Sequence, residues 1–267
     1  MTEQHIDRPP IIVVTGTHSS GKSTLLSDIE VGKLSTLGID DDGYNDLGYG
    51  FLETDNGTQP YITVPESARR LADIFHRPDL LTTHYDLDFQ LEIDFQALCR
   101  INAATHMADE LTEVLLDEGL IESSQPVITP IIIPDRGPLD GIVYSKLQLP
   151  GENVDILRGS PRTGFWSEWL KSVVDLVVIT DYKDVPFEAD EARLEDAEFR
   201  QLVGEAIESS YRQFLDERSI IAISGDRLER RDKLLSLLGH IGNYGSIVRT
   251  MEPFEKWGSI KLDILTK

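Results

Sequence analysis

Residues 11–24 read Ile11-Ile12-Val13-Val14-Thr15-Gly16-Thr17-His18-Ser19-Ser20-Gly21-Lys22-Ser23-Thr24. The first four form a continuous, mostly β-branched apolar run, which is how a strand buried on both faces reads. Gly16 to Ser23 then satisfy G-x-x-x-x-G-K-[ST] at every fixed position. Leu25, Leu26 and Ile29 follow at helical spacing. A strand, a glycine loop and a helix in that order predict a phosphate-binding loop. Glycines let the backbone curl, so that the N–H groups of Gly16, Thr17, His18, Ser19, Ser20 and Gly21 can converge on phosphate oxygens. The helix N-terminus adds positive potential. Lys22 is expected to neutralise the β- and γ-phosphates of a nucleoside triphosphate, and Ser23 to offer its hydroxyl to Mg²⁺. Thr24 is expected to add a phosphate contact.

Working outward, the same apolar texture returns at Val127 to Ile133, Val173 to Ile179 and Ile220 to Ile223, and more weakly at Tyr61 to Val64. Helical patterns lie between these runs. Alternating strands and helices predict an α/β fold with a mostly parallel, five-stranded sheet and helices on both faces. The clearest helix carries Leu91, Phe95, Leu98, Ile101, Ala104, Ala108, Leu111 and Leu115 at gaps of three and four, one stripe facing the core. Cys99 falls four residues after Phe95 and reads as a core thiol. Residues 34–60, with Asp40-Asp41-Asp42-Gly43, read as an acidic surface insertion. Residues 182–200 are charged and follow a strand, where a helical lid can sit. The expected organisation is one domain over residues 1–240 and an extension of unassigned role over 241–267.

Two acidic stations end strands. Ile131-Ile132-Ile133-Pro134 leads into Asp135-Arg136-Gly137. The C-terminal end of a parallel strand is where such a sheet presents carboxylates to a ligand. Asp135 is therefore a candidate for Mg²⁺ or its water shell, and Arg136 for holding the acceptor or a phosphate. Tyr61-Ile62-Thr63-Val64-Pro65 leads likewise into Glu66, a candidate base for an acceptor hydroxyl. Arg193 and Arg200 stand seven residues apart, two helical turns, so both point the same way and could stabilise charge on a transferred phosphoryl group. Tyr144, Phe165, Trp166 and Trp169 are available to stack a base.

The whole chain carries 25 basic and 47 acidic side chains, a formal net charge of −22. Such a surface repels nucleic-acid phosphates and anionic lipid, so stable duplex binding is disfavoured. A single cysteine excludes an intramolecular disulfide and a cysteine-rich metal site. The residues before Pro10 lack the apolar core of a signal peptide, and no apolar run approaches membrane-spanning length. These features lead to the expectation of a cytoplasmic protein.

The order of motifs resembles P-loop kinases of the AAA-domain family that includes the nicotinamide riboside kinase domain of bacterial NAD-biosynthesis regulators. It is similar, more distantly, to thymidylate and deoxynucleoside kinases. The residues that carry this are Val13 to Thr24, Val64-Pro65-Glu66-Ser67-Ala68-Arg69, Asp135-Arg136-Gly137-Pro138-Leu139-Asp140, Asp175 to Ile179, and the segment from Val185-Pro186 through Arg193 and Arg200 to Tyr211. The resemblance implies an acceptor cleft near Glu66 and Arg136, a lid over the phosphates, and a place near the nucleotide base for Gly225-Asp226-Arg227. It implies an ATP- and Mg²⁺-dependent kinase acting on a small nucleoside- or nucleotide-like acceptor. A P-loop NTP hydrolase or nucleotide-dependent regulator is the alternative. A kinase acting on modified bases or ends in DNA is the third reading, which the charge opposes.

Overall fold

The computed structural model describes residues 8–39, 44–77, 86–122, 124, 126–148, 151, 168–183 and 197–244. Strand β1 (Ile12–Thr15) runs through the glycine loop into α1 (Lys22–Ile29). Next come β2 (Gly32–Lys33), a 3-10 turn (Leu34–Leu37), β3 (Gly48–Thr54) and β4 (Gly57–Val64). Helices α2 (Ser67–Ile74) and α3 (Leu87–Asp117) lead to β5 (Ile131–Pro134) and α4 (Pro138–Gln148). The chain continues through β6 (Leu176–Thr180), α5 (Ala197–Phe214), β7 (Ile220–Ile223) and α6 (Arg227–Tyr244).

The strands lie in the order β2-β3-β4-β5 and β1-β6-β7. Parallel bridges Ile11 to Ile132 and Val14 to Asp135 join β1 to β5, so the two groups form one surface. Five neighbours, β4, β5, β1, β6 and β7, run parallel. The expected class is therefore correct, but two antiparallel strands, β3 and β2, extend the sheet beyond the expected five.

That extension corrects the reading of residues 34–60 as a surface excursion. Gly48 to Thr54 pair with Thr63 to Gly57 in full antiparallel register. The glycines that resemble loop punctuation have another cause. A Cβ at Gly50 would collide with the Tyr61 ring, and one at Gly48 with Thr63 and Glu30. They are small because β4 side chains fill that space.

Strand residues alternate between two cores. Val13, Ile62, Val64, Ile132, Val177 and Ile179 face α3, α4 and α5. Ile12, Val14, Tyr61, Ile131, Ile133, Leu176 and Val178 face α1 and α6. The result is a three-layer α/β/α packing whose central strands are buried on both sides. On the outer layer, α6 starts with a reciprocal cap. Glu229 N–H donates to Asp226 Oδ1 at 2.9 Å, and Asp226 N–H donates to Glu229 Oε2 at 3.0 Å. Helix α6 continues to Tyr244, past the boundary expected at residue 240.

Helix α3 is one unbroken helix of 31 residues, capped by the Asp86 carboxylate. Its apolar stripe is correct from Ile101 to Leu115 but not before. Phe95 is 49% exposed, while Gln90, Asp94 and Arg100 are buried. Cys99 is half-buried rather than a core thiol. The inner face of the first half of α3 thus presents polar groups, and Arg100 reaches a carboxylate on the cavity wall described below. Among the described residues, no helix is long and apolar enough to cross a membrane.

Candidate active site

The C-terminal ends of β1, β4 and β5 meet at the glycine loop, where a parallel sheet collects its functional groups. The loop takes left-handed conformations at Ser19, φ 53°, and Gly21, φ 80°. It is laced to β6: Ser20 Oγ and Thr180 Oγ1 lie 2.7 Å apart, and Thr180 Oγ1 donates to the Thr15 carbonyl at 3.0 Å. Lys22 is 4% exposed. Its Nζ donates to the Thr17 carbonyl at 2.7 Å and to Ser20 Oγ at 3.3 Å. Burial, with the Arg136 charge beside it, lowers its pKa to about 7 against the pull of Asp135, Glu66 and Asp140.

Ser23 and Asp135 come together across the two strands. Ser23 Oγ donates to Asp135 Oδ2 at 2.5 Å. The second oxygen, Oδ1, is buried and has no hydrogen-bond partner among the described residues. Burial pushes the Asp135 carboxyl up, opposed first by Lys22. A buried carboxylate oxygen lacking a donor, beside a hydroxyl, suits a hard cation such as Mg²⁺. Among the described residues no cluster of three or more His, Cys, Asp or Glu could hold a metal. A cation here would thus draw its other oxygens from phosphate and water, as Mg²⁺ usually does.

Arg136 joins the next two groups. Its Nε donates to Glu66 Oε1 at 2.6 Å. Its Nη1 donates to Tyr144 Oη at 3.3 Å and lies 3.6 Å from Asp140 Oδ2. Burial opposes its charge, but Glu66, Tyr144, Asp140 and Asp135 hold it well above the ordinary guanidinium range. Arg136 has φ 84°, a left-handed backbone that costs a side-chain-bearing residue about 1–3 kcal/mol. Such strain persists where the surroundings over-determine a geometry. Gly137 shows how tight they are: a Cβ there would collide with Tyr211 Oη and Val13. Behind this pair Asp140, 1% exposed, accepts from Thr15 Oγ1 at 2.7 Å and from Tyr211 Oη at 2.9 Å. Asp140 therefore ties β1, α4 and α5 into one polar joint.

Two further arginines hold the loop from outside. Arg200 Nη2 donates to the carbonyls of Ser19, at 3.0 Å, and Tyr182, at 2.9 Å. Arg230 Nη1 donates to the Ser20 carbonyl at 2.6 Å. His18 is buried, its ring stacked 5.8 Å from Phe199. Thr24 is exposed at the start of α1. Arg193, Phe165 and Trp166 lie outside the described residues. Trp169 packs against the core, and the Tyr144 ring sits 5.0 Å from the Arg136 guanidinium. Arg227, expected near a nucleotide base, pairs with Asp28.

A cavity of about 420 Å³ opens beside these groups. Ser23, Glu66 and Asp135 form one part of its lining; Asp46, Arg69, Arg70 and Asp73 form another. Its volume is in the range that small-molecule sites occupy.

A sequence model of the AAA domain matches residues 11–231. The chain belongs to the AAA-domain family. The fold of this AAA domain is similar to a NadR protein solved in complex with NR, at 18% identity and a TM-score of 0.50, over 88% of this chain and 52% of that one. It is similar to NadR solved in complex with NAD and AMP-PNP, at 16% identity and a TM-score of 0.51, over 88% and 50%. The chain thus spans about half the length of those proteins. A deoxyadenosine kinase from M. mycoides aligns over 86% of this chain and 100% of its own, at 13% identity and a TM-score of 0.39. No curated protein matches the sequence.

Some groups in the AAA domain's site escape sequence reasoning. Arg230 lies 210 residues from its partner Ser20 and looks like one of several charges opening α6. Thr180, 160 residues from Ser20, ends an apolar strand with nothing local to mark it. Asp46 sits within the segment read as a surface insertion. Their roles arise from chain crossings that no spacing rule encodes.

Proposed function

We propose that this AAA domain transfers the γ-phosphoryl group of ATP to a small nucleoside- or nucleotide-like acceptor. The observation that carries the reading is a cavity that reaches Ser23, Asp135 and Glu66 beside the glycine loop. The glycine loop and Lys22 hold the β- and γ-phosphates, with Thr24 as a further contact. Ser23 and Asp135 hold Mg²⁺, which when bound neutralises charge on the phosphates. Glu66 accepts the proton of the acceptor hydroxyl as its oxygen bonds to the γ-phosphorus. The bond from that phosphorus to the bridging oxygen breaks, and ADP leaves. Arg136 fixes the Glu66 carboxylate and offers positive charge to the acceptor. Arg200, already against Ser19, and Arg193, from the segment expected to form a lid, offset charge on the moving group. Similarity to a NadR structure holding NAD and AMP-PNP supports nucleotide binding in this fold. The net charge of −22 supports a small acceptor over nucleic acid, and one cysteine supports a reducing cytoplasm.

The test incubates the protein with ATP, Mg²⁺ and a panel of nucleosides, nucleoside monophosphates and nicotinamide riboside, resolved by mass spectrometry. One acceptor should gain a phosphate, and Lys22→Ala should lower the rate by at least about a hundredfold, the size of a lost transition-state charge contact. Equal ADP release with every acceptor and no phosphorylated product would replace transfer with hydrolysis.

A further inference from the structure

The cavity has a second charged wall that the phosphotransfer chemistry does not use. Asp46 precedes β3, and its carboxylate bridges two arginines. Oδ1 accepts from Arg70 Nη1 at 2.7 Å, and Oδ2 accepts from Arg100 Nη2 at 2.8 Å. Asp46 and Arg70 line the cavity; Arg100 stands directly behind Asp46 on α3.

Arg100 is the unusual member. It is 1% exposed, and its Nε and Nη1 are buried with no hydrogen-bond partner among the described residues. A buried guanidinium is normally saturated, because each unmet donor keeps its desolvation cost. Among the described residues its counter-charge is a carboxylate that Arg70 shares. Asp46 is 34% exposed, so its side chain can turn to solvent without crossing packed core.

We propose that Asp46, Arg70 and Arg100 form an anion subsite for a phosphate monoester on the acceptor, with Asp46 occupying it in the free protein. A phosphate carries about −1.5 to −2 charge and three acceptor oxygens. It matches two guanidiniums, whereas the single Asp46 carboxylate leaves donors of Arg100 unmet. Planar guanidinium forks suit such an oxyanion better than a neutral ring or hydroxyl. Deepening the phosphotransfer reading, and resting on it for the word acceptor, this assigns a nucleotide-like rather than an uncharged nucleoside-like substrate. Asp46 then becomes a selectivity device: an incoming group must displace a carboxylate, which an uncharged acceptor has no charge to do.

The test titrates the full chain, saturated with Mg²⁺ and AMP-PNP so that the glycine loop is filled, with matched pairs differing only by a phosphate. The pairs are thymidine and its monophosphate, cytidine and its monophosphate, adenosine and its monophosphate, and nicotinamide riboside and its mononucleotide. For the preferred base the monophosphate should bind at least about tenfold more tightly. Arg100→Met, close in length, should bring each pair to within about twofold. Asp46→Asn removes the competing charge and should tighten monophosphate binding severalfold, which decides the matter should Arg100→Met fail to fold. No phosphate-dependent binding in any pair, an unchanged ratio in a folded Arg100→Met, or weaker binding in Asp46→Asn overturns the subsite. Phosphate-dependent binding without any phosphorylated product from ATP keeps the subsite and removes the kinase reading. Phosphorylation of uncharged nucleosides that bind as well as their monophosphates does the reverse.

Discussion

At the level of single residues, Lys22 carries the most direct consequence. In the free protein its pKa is about 7, because burial and Arg136 disfavour the ammonium. Bound phosphates favour the ammonium and raise that value. Nucleotide binding therefore takes up a proton between about pH 7 and that raised value, and affinity falls as the pH rises across this window, by up to about tenfold per unit. Calorimetry of AMP-PNP binding in alkaline buffers of different ionisation enthalpy reads this uptake. Lys22→Met should bind more weakly and lose the uptake; an affinity that rises with pH in the unmodified protein would contradict the assignment. The residues of this site differ in how far they could be read beforehand. Lys22 and Ser23 follow from local spacing. Asp135 and Glu66 follow from ending strands. That Arg136 would clasp Glu66, and that Asp140 would collect Thr15 and Tyr211, depends on three strands and two helices converging.

Among the elements, α6 offers a contrast within one helix. Leu237 is fully buried against the sheet, whereas Leu228 is 58% exposed. Leu237→Ala should cost about 2–5 kcal/mol through lost burial and the cavity left behind. Leu228→Ala should stay within about 0.5 kcal/mol. Denaturant unfolding of both variants checks this; similar losses would show that α6 does not pack as described. The central strands β1, β5 and β6 were legible because each is buried on both faces and so reads as an unbroken apolar run. The β3–β4 hairpin was not, because glycines make room for Tyr61 and Thr63 and mimic loop composition. The first half of α3 misled in the other direction. Its apolar spacing includes an exposed Phe95, while the inward positions hold Asp94 and Arg100.

For the molecule as a whole, charge dominates. A net charge of −22 makes the compact state repel itself. Raising NaCl so that the Debye length falls from about 30 Å to about 3 Å screens that repulsion. The melting temperature should rise over this range, read by differential scanning calorimetry; a fall would mean that local ion pairs outweigh the global repulsion. Within this acidic body the arginines Arg136, Arg200 and Arg230 are gathered around the backbone of the glycine loop. By itself the sequence determined the three-layer class, the phosphate loop and the strand-end carboxylates. Each rests on local periodicity or on a fixed short spacing, which backbone geometry imposes wherever it occurs. Tertiary structure alone decided that Arg230 and Thr180 brace the loop, that Arg136 meets Glu66, and that Asp46 closes over Arg100. Those contacts join residues 54 to 210 positions apart, and only sheet order and helix packing bring them into register.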